Sequence, residues 1–240
     1  MMTTFAMAFL SATIGANGQG SPTIQSYIQP ALQDATFVAK VIKGDQRELK
    51  KINDDFGQSY RFDKTTIQFK EPLKLRLEAN VEDTRILYII NGPTQYIKIP
   101  KAHVNSKQNL ATKPGRRQTP LDFGMLTPSM FQGLFEAKFV RMDRATGDAV
   151  FDLTFPARLD DTSRSRIWVD TQKKYITKRE WYNQHGRQLA TFFYENPLNE
   201  SGVWLPTKLT VRNVDDKVAG ITGYESIKVN SGLADSLFEG

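Results

Sequence analysis

From residue 60 onward the apolar positions recur every second residue, the period of a strand with one wet and one dry face. The cleanest case is 72–79, where Leu73, Leu75, Leu77 and Ala79 face one way and Lys74, Arg76 and Glu78 the other. A strand over 65–69 precedes it. A more continuous apolar run, 86–90, follows, and Asn91-Gly92 marks a turn into 96–99. Asn-Gly between apolar runs is a strong hairpin signal, because tight primed turns need positive φ. Further strands are predicted over 139–142, 150–155, 166–169, 175–182, 189–194, 203–211 and 221–229. Short turns such as Gln184-His185-Gly186 separate them. Strands joined to their neighbours by tight turns make an antiparallel meander.

Two segments follow a helical period instead. Over 22–35, Ser21 is placed to cap, Pro22 suits the first turn, and Ile24, Tyr27, Ile28, Ala31, Leu32 and Ala35 form one stripe. Pro30 within it predicts a kink or a split. Over 126–138, Thr127 caps, Pro128 begins, and Met130, Phe131, Leu134 and Phe135 form a second stripe. Residues 101–120 are polar, contain Pro114-Gly115, and read as a long loop.

A large sheet cannot leave a face of Leu, Phe and Trp in water. It closes into a filled barrel, or it curls and is capped. Two short amphipathic segments suit a lid, and a curled sheet beneath a lid encloses apolar volume. The expected fold is mainly β: an incomplete antiparallel β-barrel, a curved half-barrel sheet with a few helices capping an apolar cavity. Candidate cavity and lid residues are Phe123, Met125, Met130, Phe131, Leu134 and Phe135, because methionine adapts to irregular partners. Trp168 and Trp181 join them as rigid aromatics suited to acyl chains. The competing readings are an ordinary core helix for the lid and strand-pinning for the tryptophans.

Composition narrows the chemistry. With no cysteine the chain has no disulfide, thiolate metal site, cysteine nucleophile or lipid-modified cysteine. The net charge of +6 comes from Lys and Arg spread along the strands, which reads as a wet sheet face rather than a nucleic-acid site. Asp54-Asp55, Asp160-Asp161 and Asp215-Asp216 fall in predicted turns, where Asp is a turn former. The histidines, His103 and His185, have no metal-ligand spacing, and no nucleophile elbow, phosphate loop or dinucleotide fingerprint occurs. Neither an enzyme nor a cofactor is expected. The sharpest basic cluster, Lys113 with Arg116-Arg117, reads as a solvated turn or as a contact for a phosphate headgroup.

Residues 5–16 are apolar but too short to span a bilayer. Ala16 and Gly18 stand where positions −3 and −1 of a cleavage site belong. No Lys or Arg precedes Lys40, so a basic leading region is missing. The expectation is a signal peptide over 1–18 and a single exported domain over 19–240.

The C-terminal half adds a resemblance. IWVDTQKKYITKREWYNQHGRQLATFFYENP, then GVWLPTKLTV, then GYESIKVNSGLADSLF, resembles the outer-membrane lipoprotein-sorting superfamily, the LolA/LolB-like proteins. The similarity covers about residues 60–238 and is strongest over 167–238. It implies a half-barrel plugged by helices, a cavity that takes acyl chains, and traffic through the periplasm toward the outer membrane. It also implies partners: lipid or lipoprotein cargo, a membrane donor and an acceptor, with the carrier itself a monomer. LolA keeps a cavity arginine that helps hold its lid shut, and Arg61, Arg76 and Arg85 lie in the corresponding part of this chain. A periplasmic sensor or adaptor, using the same half-barrel to bind a protein, is the alternative reading.

Overall fold

The computed structural model describes residues 21–81 and 83–240. Thirteen strands form one antiparallel sheet. The N-terminal six are β1 (Asp34–Gly44), β2 (Lys64–Lys70), β3 (Lys74–Val81), β4 (Thr84–Asn91), β5 (Thr94–Ile99) and β6 (Val104–Asn109). Next come β7 (Glu136–Met142), β8 (Ala149–Thr154), β9 (Arg164–Val169) and β10 (Ile176–Tyr182). The last three are β11 (Gln188–Glu200), β12 (Val203–Asn213) and β13 (Val218–Val229).

Their order is β6-β5-β4-β3-β2-β1-β13-β12-β11-β10-β9-β8-β7. The chain therefore starts at the centre, walks outward to the β6 edge, crosses to the β7 edge, and walks back until β13 pairs with β1. The two edges do not meet, so the sheet is a half-barrel rather than a closed barrel. The crossing, residues 110–135, must traverse the whole sheet. It does so across the dry face.

Period-two patterning fixes that face. Ile67 lies opposite Leu77, and Leu77 opposite Tyr88; Phe69, Leu75 and Ile90 form the next rung. In the C-terminal half Ile167, Arg179, Phe192 and Val211 are successive partners. Each strand predicted from the alternation is present. The hairpin at 91–94 is also present, with Asn91 opposite Thr94 and Gly92 at φ 55, the first central position of a two-residue loop.

Other expectations are corrected. Residues 22–35 are not a helix: a single 3₁₀ turn, Ile24–Tyr27, gives way to β1 at Asp34. Pro30 blocks continuation, and Gln29 turns its amide to the backbone of Trp204, donating to its carbonyl at 2.8 Å and accepting from its N–H at 2.7 Å. Of the stripe, Ile24, Ile28, Leu32 and Ala35 are in the core, Tyr27 is half-buried and Ala31 is exposed. Residues 126–138 are a 3₁₀ turn, Pro128–Phe131, followed by β7; Gly133 at φ 99 breaks the helical path. The polar stretch 101–120 contains β6, an edge strand exposed along most of its length, so no dry face imposes alternation on it.

Two small caps complete the domain. One is α1 (Gln46–Lys50) with α2 (Asp54–Ser59), whose N-caps Asp45 and Asn53 accept backbone N–H bonds. Tyr60 follows and lies flat on Gly220, where an added Cβ would fall 2.3 Å from the ring. The other is the C-terminal 3₁₀ turn Asp235–Phe238, strapped over the outer face of β3 and β4. Arg76 donates to the Leu237 carbonyl, Asn91 to that of Phe238, and Lys70 and Lys74 pair with Asp235. Phe238 is fully buried there. The proposed signal segment, 1–18, lies outside the described residues.

Candidate functional site

Among the described residues the concave face is the large apolar surface that the topology must cover, and residues 110–135 cover it. Thr119 and Asp122 form a capping box around the 3₁₀ turn Pro120–Phe123, and Gly124 at φ 78 reverses the chain into Met125 and Leu126. The segment then reaches Glu71, whose carboxylate accepts from the Ser129 N–H and hydroxyl. No regular ladder holds this stretch. It is a chain of turns lying in a bowl.

The bowl is filled rather than open. Leu110, Leu121, Phe123, Met125, Leu126, Met130 and Leu134 are buried against the sheet, and Phe135 stacks on Phe155 at 5.0 Å. Phe123 meets Phe37 edge-on at 5.6 Å and lies 6.4 Å from Tyr224. Six of the eight residues singled out from sequence, Phe123, Met125, Met130, Phe131, Leu134 and Phe135, are thus brought together as plug, with Phe131 only half-buried. Volume expected as a cavity is taken up by the protein's own side chains.

The two tryptophans separate. Trp181 lies on the concave side, opposite Ala190, and its half-buried ring walls a surface cleft. Trp168 points the other way from Ile167: its partner across the ladder is Lys178, whose ammonium lies 4.1 Å from the indole centroid. The Trp168 Nε1 donates to Asp143, so the ring pins the outer face of strands β7–β10 and does not line the bowl. The strand-pinning reading fits it.

Sequence reasoning missed the polar centre of the plug. Arg179 projects from β10 into the apolar face, its side chain 7% exposed, and donates to Asp122 of the plug at 2.8 Å. The second Asp122 oxygen accepts the Thr119 N–H. The guanidinium rests over the Phe192 ring at 4.2 Å, and its Nε has no hydrogen-bond partner among the described residues. Beside it the Tyr194 hydroxyl donates to the Leu121 carbonyl at 3.1 Å. Burial works against the Arg179 charge, but the groups facing it, the Asp122 carboxylate among them, outweigh it and hold the group above its ordinary value. Burial also pushes the Tyr194 and Tyr224 phenols up, so both stay neutral. A charged group in this interior is tolerated only while its partner is present. Arg179 therefore ties the plug to the sheet.

None of the three arginines in the part of the chain that corresponds to the LolA arginine does this. Arg61 is exposed, Arg76 serves the outer strap, and Arg85 pairs with Glu78 at 2.6 Å. The available signal was parity: Arg179 falls in step with Trp181 and opposite Ile167, and a lone arginine on the dry face needs a buried partner.

This arrangement is a LolA-like fold: an open antiparallel half-barrel whose concave apolar face is covered by a plug from the chain itself. Among solved structures, a LolA superfamily protein from Nitrosomonas europaea matches with a TM-score of 0.59 at 17% identity, over 92% of this chain and 99% of that one. A putative outer membrane lipoprotein-sorting protein domain from Vibrio parahaemolyticus matches with a TM-score of 0.59 at 12% identity, over 90% and 93%. A DUF1329 family protein from Desulfovibrio piger matches with the same score and identity, over 90% and 92%. In sequence, a family model described as an uncharacterized protein matches residues 129–240. No curated protein matches.

Proposed function

We propose that this protein is a non-enzymatic, exported carrier that takes acyl chains of a lipid or lipoprotein into the half-barrel, moving them through the periplasm toward the outer membrane. The observation that supports the reading is the plug. An apolar bowl is filled by Met, Leu and Phe on irregular turns, and those turns are held by a few bonds, among them the Arg179–Asp122 pair, Tyr194 to the Leu121 carbonyl and the Ile176 N–H to the Gly124 carbonyl, rather than by a ladder. Such a filling can be exchanged.

Magnitudes support a partial exchange. Burying an apolar side chain of this size is worth about 1.5–3 kcal/mol, and each methylene of a bound chain about 0.8 kcal/mol. An acyl chain of about sixteen carbons then carries about 12 kcal/mol, comparable to about half of the plug's buried side chains. Cargo would displace the end bearing Met130, Phe131, Leu134 and Phe135 while Phe123 and Met125 stay seated. Release needs an acceptor that takes the chain at similar free energy, so opening of the plug is the controlled step.

Solvent extraction of protein purified from the periplasm of its host, followed by mass spectrometry, tests the reading. Stoichiometric co-purified lipid is the expected result. An empty bowl that also fails to take up a fluorescent fatty acid would refute it and favour an adaptor that binds protein.

A further inference from the structure

The distribution of charge along the free N-terminal edge has no role in the plug. From Thr84 to Leu121 the chain has no Asp or Glu, and it carries seven Lys or Arg. This stretch is β4, β5, β6 and the turn that leads into the plug. Arg85 pairs back to Glu78 and Lys101 to Asp83. Lys98, Lys107, Lys113 and Arg116 have no carboxylate within ion-pair distance among the described residues, and the last three are exposed. Elsewhere cations commonly interleave with acids, as in the Arg166–Asp152 and Lys178–Glu180 pairs on the outer face.

The structure adds a second feature. The 113–116 turn does not hang in solvent but reaches the loops of the opposite half. There Lys113, Gly115 and Arg116 face Ser163, Trp181, Asn183 and Gln184 across a cleft of about 360 Å³. Asp161 is the one acid in this cleft, and its carboxylate is occupied by the Gly115 N–H and by Ser163. An indole flanked by Lys and Arg is the pairing that settles at a bilayer surface, with cations among phosphates and the ring at headgroup depth. Val104, 38% exposed on the β6 edge, adds an apolar contact beside the lysines.

We infer that the β6 edge and the 113–116 turn form a docking surface for an anionic phospholipid bilayer. Phosphate headgroups meet Lys107, Lys113 and Arg116, and one headgroup enters the cleft over Trp181. The reading does not depend on acyl carriage, because docking needs only the outer surface. A nucleic acid would meet the same charge but would find, among the described residues, no row of exposed aromatic rings on which to stack bases.

Flotation with vesicles of phosphatidylglycerol and phosphatidylcholine, against phosphatidylcholine alone, tests it. The wild-type chain should float with anionic vesicles, and added salt should release it. Each basic side chain near such a surface contributes about fivefold in partitioning, so Lys107→Gln/Lys113→Gln/Arg116→Gln should weaken binding about a hundredfold. The matched control, Arg144→Gln/Lys217→Gln/Lys228→Gln, removes the same charge from exposed sites elsewhere and should cost less than tenfold. Wild-type tryptophan emission should shift to the blue on binding, and Trp181→Phe should abolish the shift. Equal losses in the two triple variants, or no binding of wild type to anionic vesicles at low salt, would overturn the proposal. Circular dichroism and a thermal melt confirm that the triples remain folded.

Discussion

Removing the charge of Asp122 is the sharpest test of the plug. Asp122→Asn keeps the shape of the side chain and an oxygen able to accept the Thr119 N–H, but leaves the Arg179 guanidinium without a counter-charge. Breaking a buried pair costs about 3–5 kcal/mol, because the remaining ion stays in a low-dielectric site. Arg179 is 7% exposed and Asp122 31% exposed, so the lower end, about 3 kcal/mol, applies. If the plug is movable, the protein escapes this cost by opening, which lets water reach the guanidinium. The closed-to-open equilibrium then shifts by about 150-fold. Apparent affinity for a fluorescent fatty acid rises with the open fraction, up to the same factor. Amide exchange in 119–131 should accelerate, while the urea midpoint of the sheet changes little. A companion, Asp122→Leu/Arg179→Leu, removes both charges and should reseat the plug and depress affinity. The reasoning fails if Asp122→Asn loses about 3 kcal/mol of global stability with fatty-acid affinity unchanged. The plug would then be core.

Other perturbations separate plug, strap and sheet. Phe131→Asp/Leu134→Asp should leave the strand signal in circular dichroism intact while raising fatty-acid affinity, because the turns bearing them can swing into water and vacate the bowl; a collapsed strand signal would show that they cannot. Phe238→Ala should destabilise by about 3–5 kcal/mol in urea unfolding with fatty-acid affinity unchanged, since Phe238 is buried on the outer face. The strap should also be sensitive to acid. Bonds from Lys74 and Lys70 hold the Asp235 carboxyl down at about 2, below its ordinary value, so its contribution is full above the ordinary carboxylate range and is lost as pH falls through about 2. Amide exchange of 233–238 should therefore stay slow from pH 6 to pH 4 and quicken below pH 3, with Asp235→Asn already fast at pH 6.

The strands were legible because one dry face imposes strict alternation, and a one-residue slip would turn every side chain around. What escaped was structure decided by something other than periodicity. β1 begins at Asp34, inside a stripe whose 3.6-residue spacing reads as helix, and only pairing with β2 and β13 makes it a strand. β6 is held by backbone bonds to β5 with both faces wet, so its side chains carry no pattern. The residues of the crossing were singled out for their apolar character and are buried or half-buried in the bowl, yet they were assigned to helix. Pro120, Gly124, Pro128 and Gly133 break the path every four or five residues, and burial comes from the bowl. Trp168 was misplaced because a tryptophan suits either face; parity with Ile167 decides it.

Arg179 marks where sequence reading stops for a physical reason. Its partner Asp122 lies 57 residues away, within the crossing itself, and no local rule links them. The link follows from topology. Two meanders that meet at β1 and β13 have outer edges at opposite ends of the sheet, so one segment must travel from β6 to β7. A path over the wet face would leave the apolar face bare; a path over the dry face covers it. A segment obliged to cross there, yet too broken by Pro and Gly to form ladders or helices, needs anchors placed by the sheet. Arg179, Tyr194 and Glu71 are those anchors, each meeting the crossing through a side-chain bond, and the Ile176 N–H of β10 adds a backbone bond to the Gly124 carbonyl. The same order of strands that makes the plug necessary therefore leaves it joined to the sheet by single anchors rather than by a ladder, which is what the proposed exchange with cargo requires.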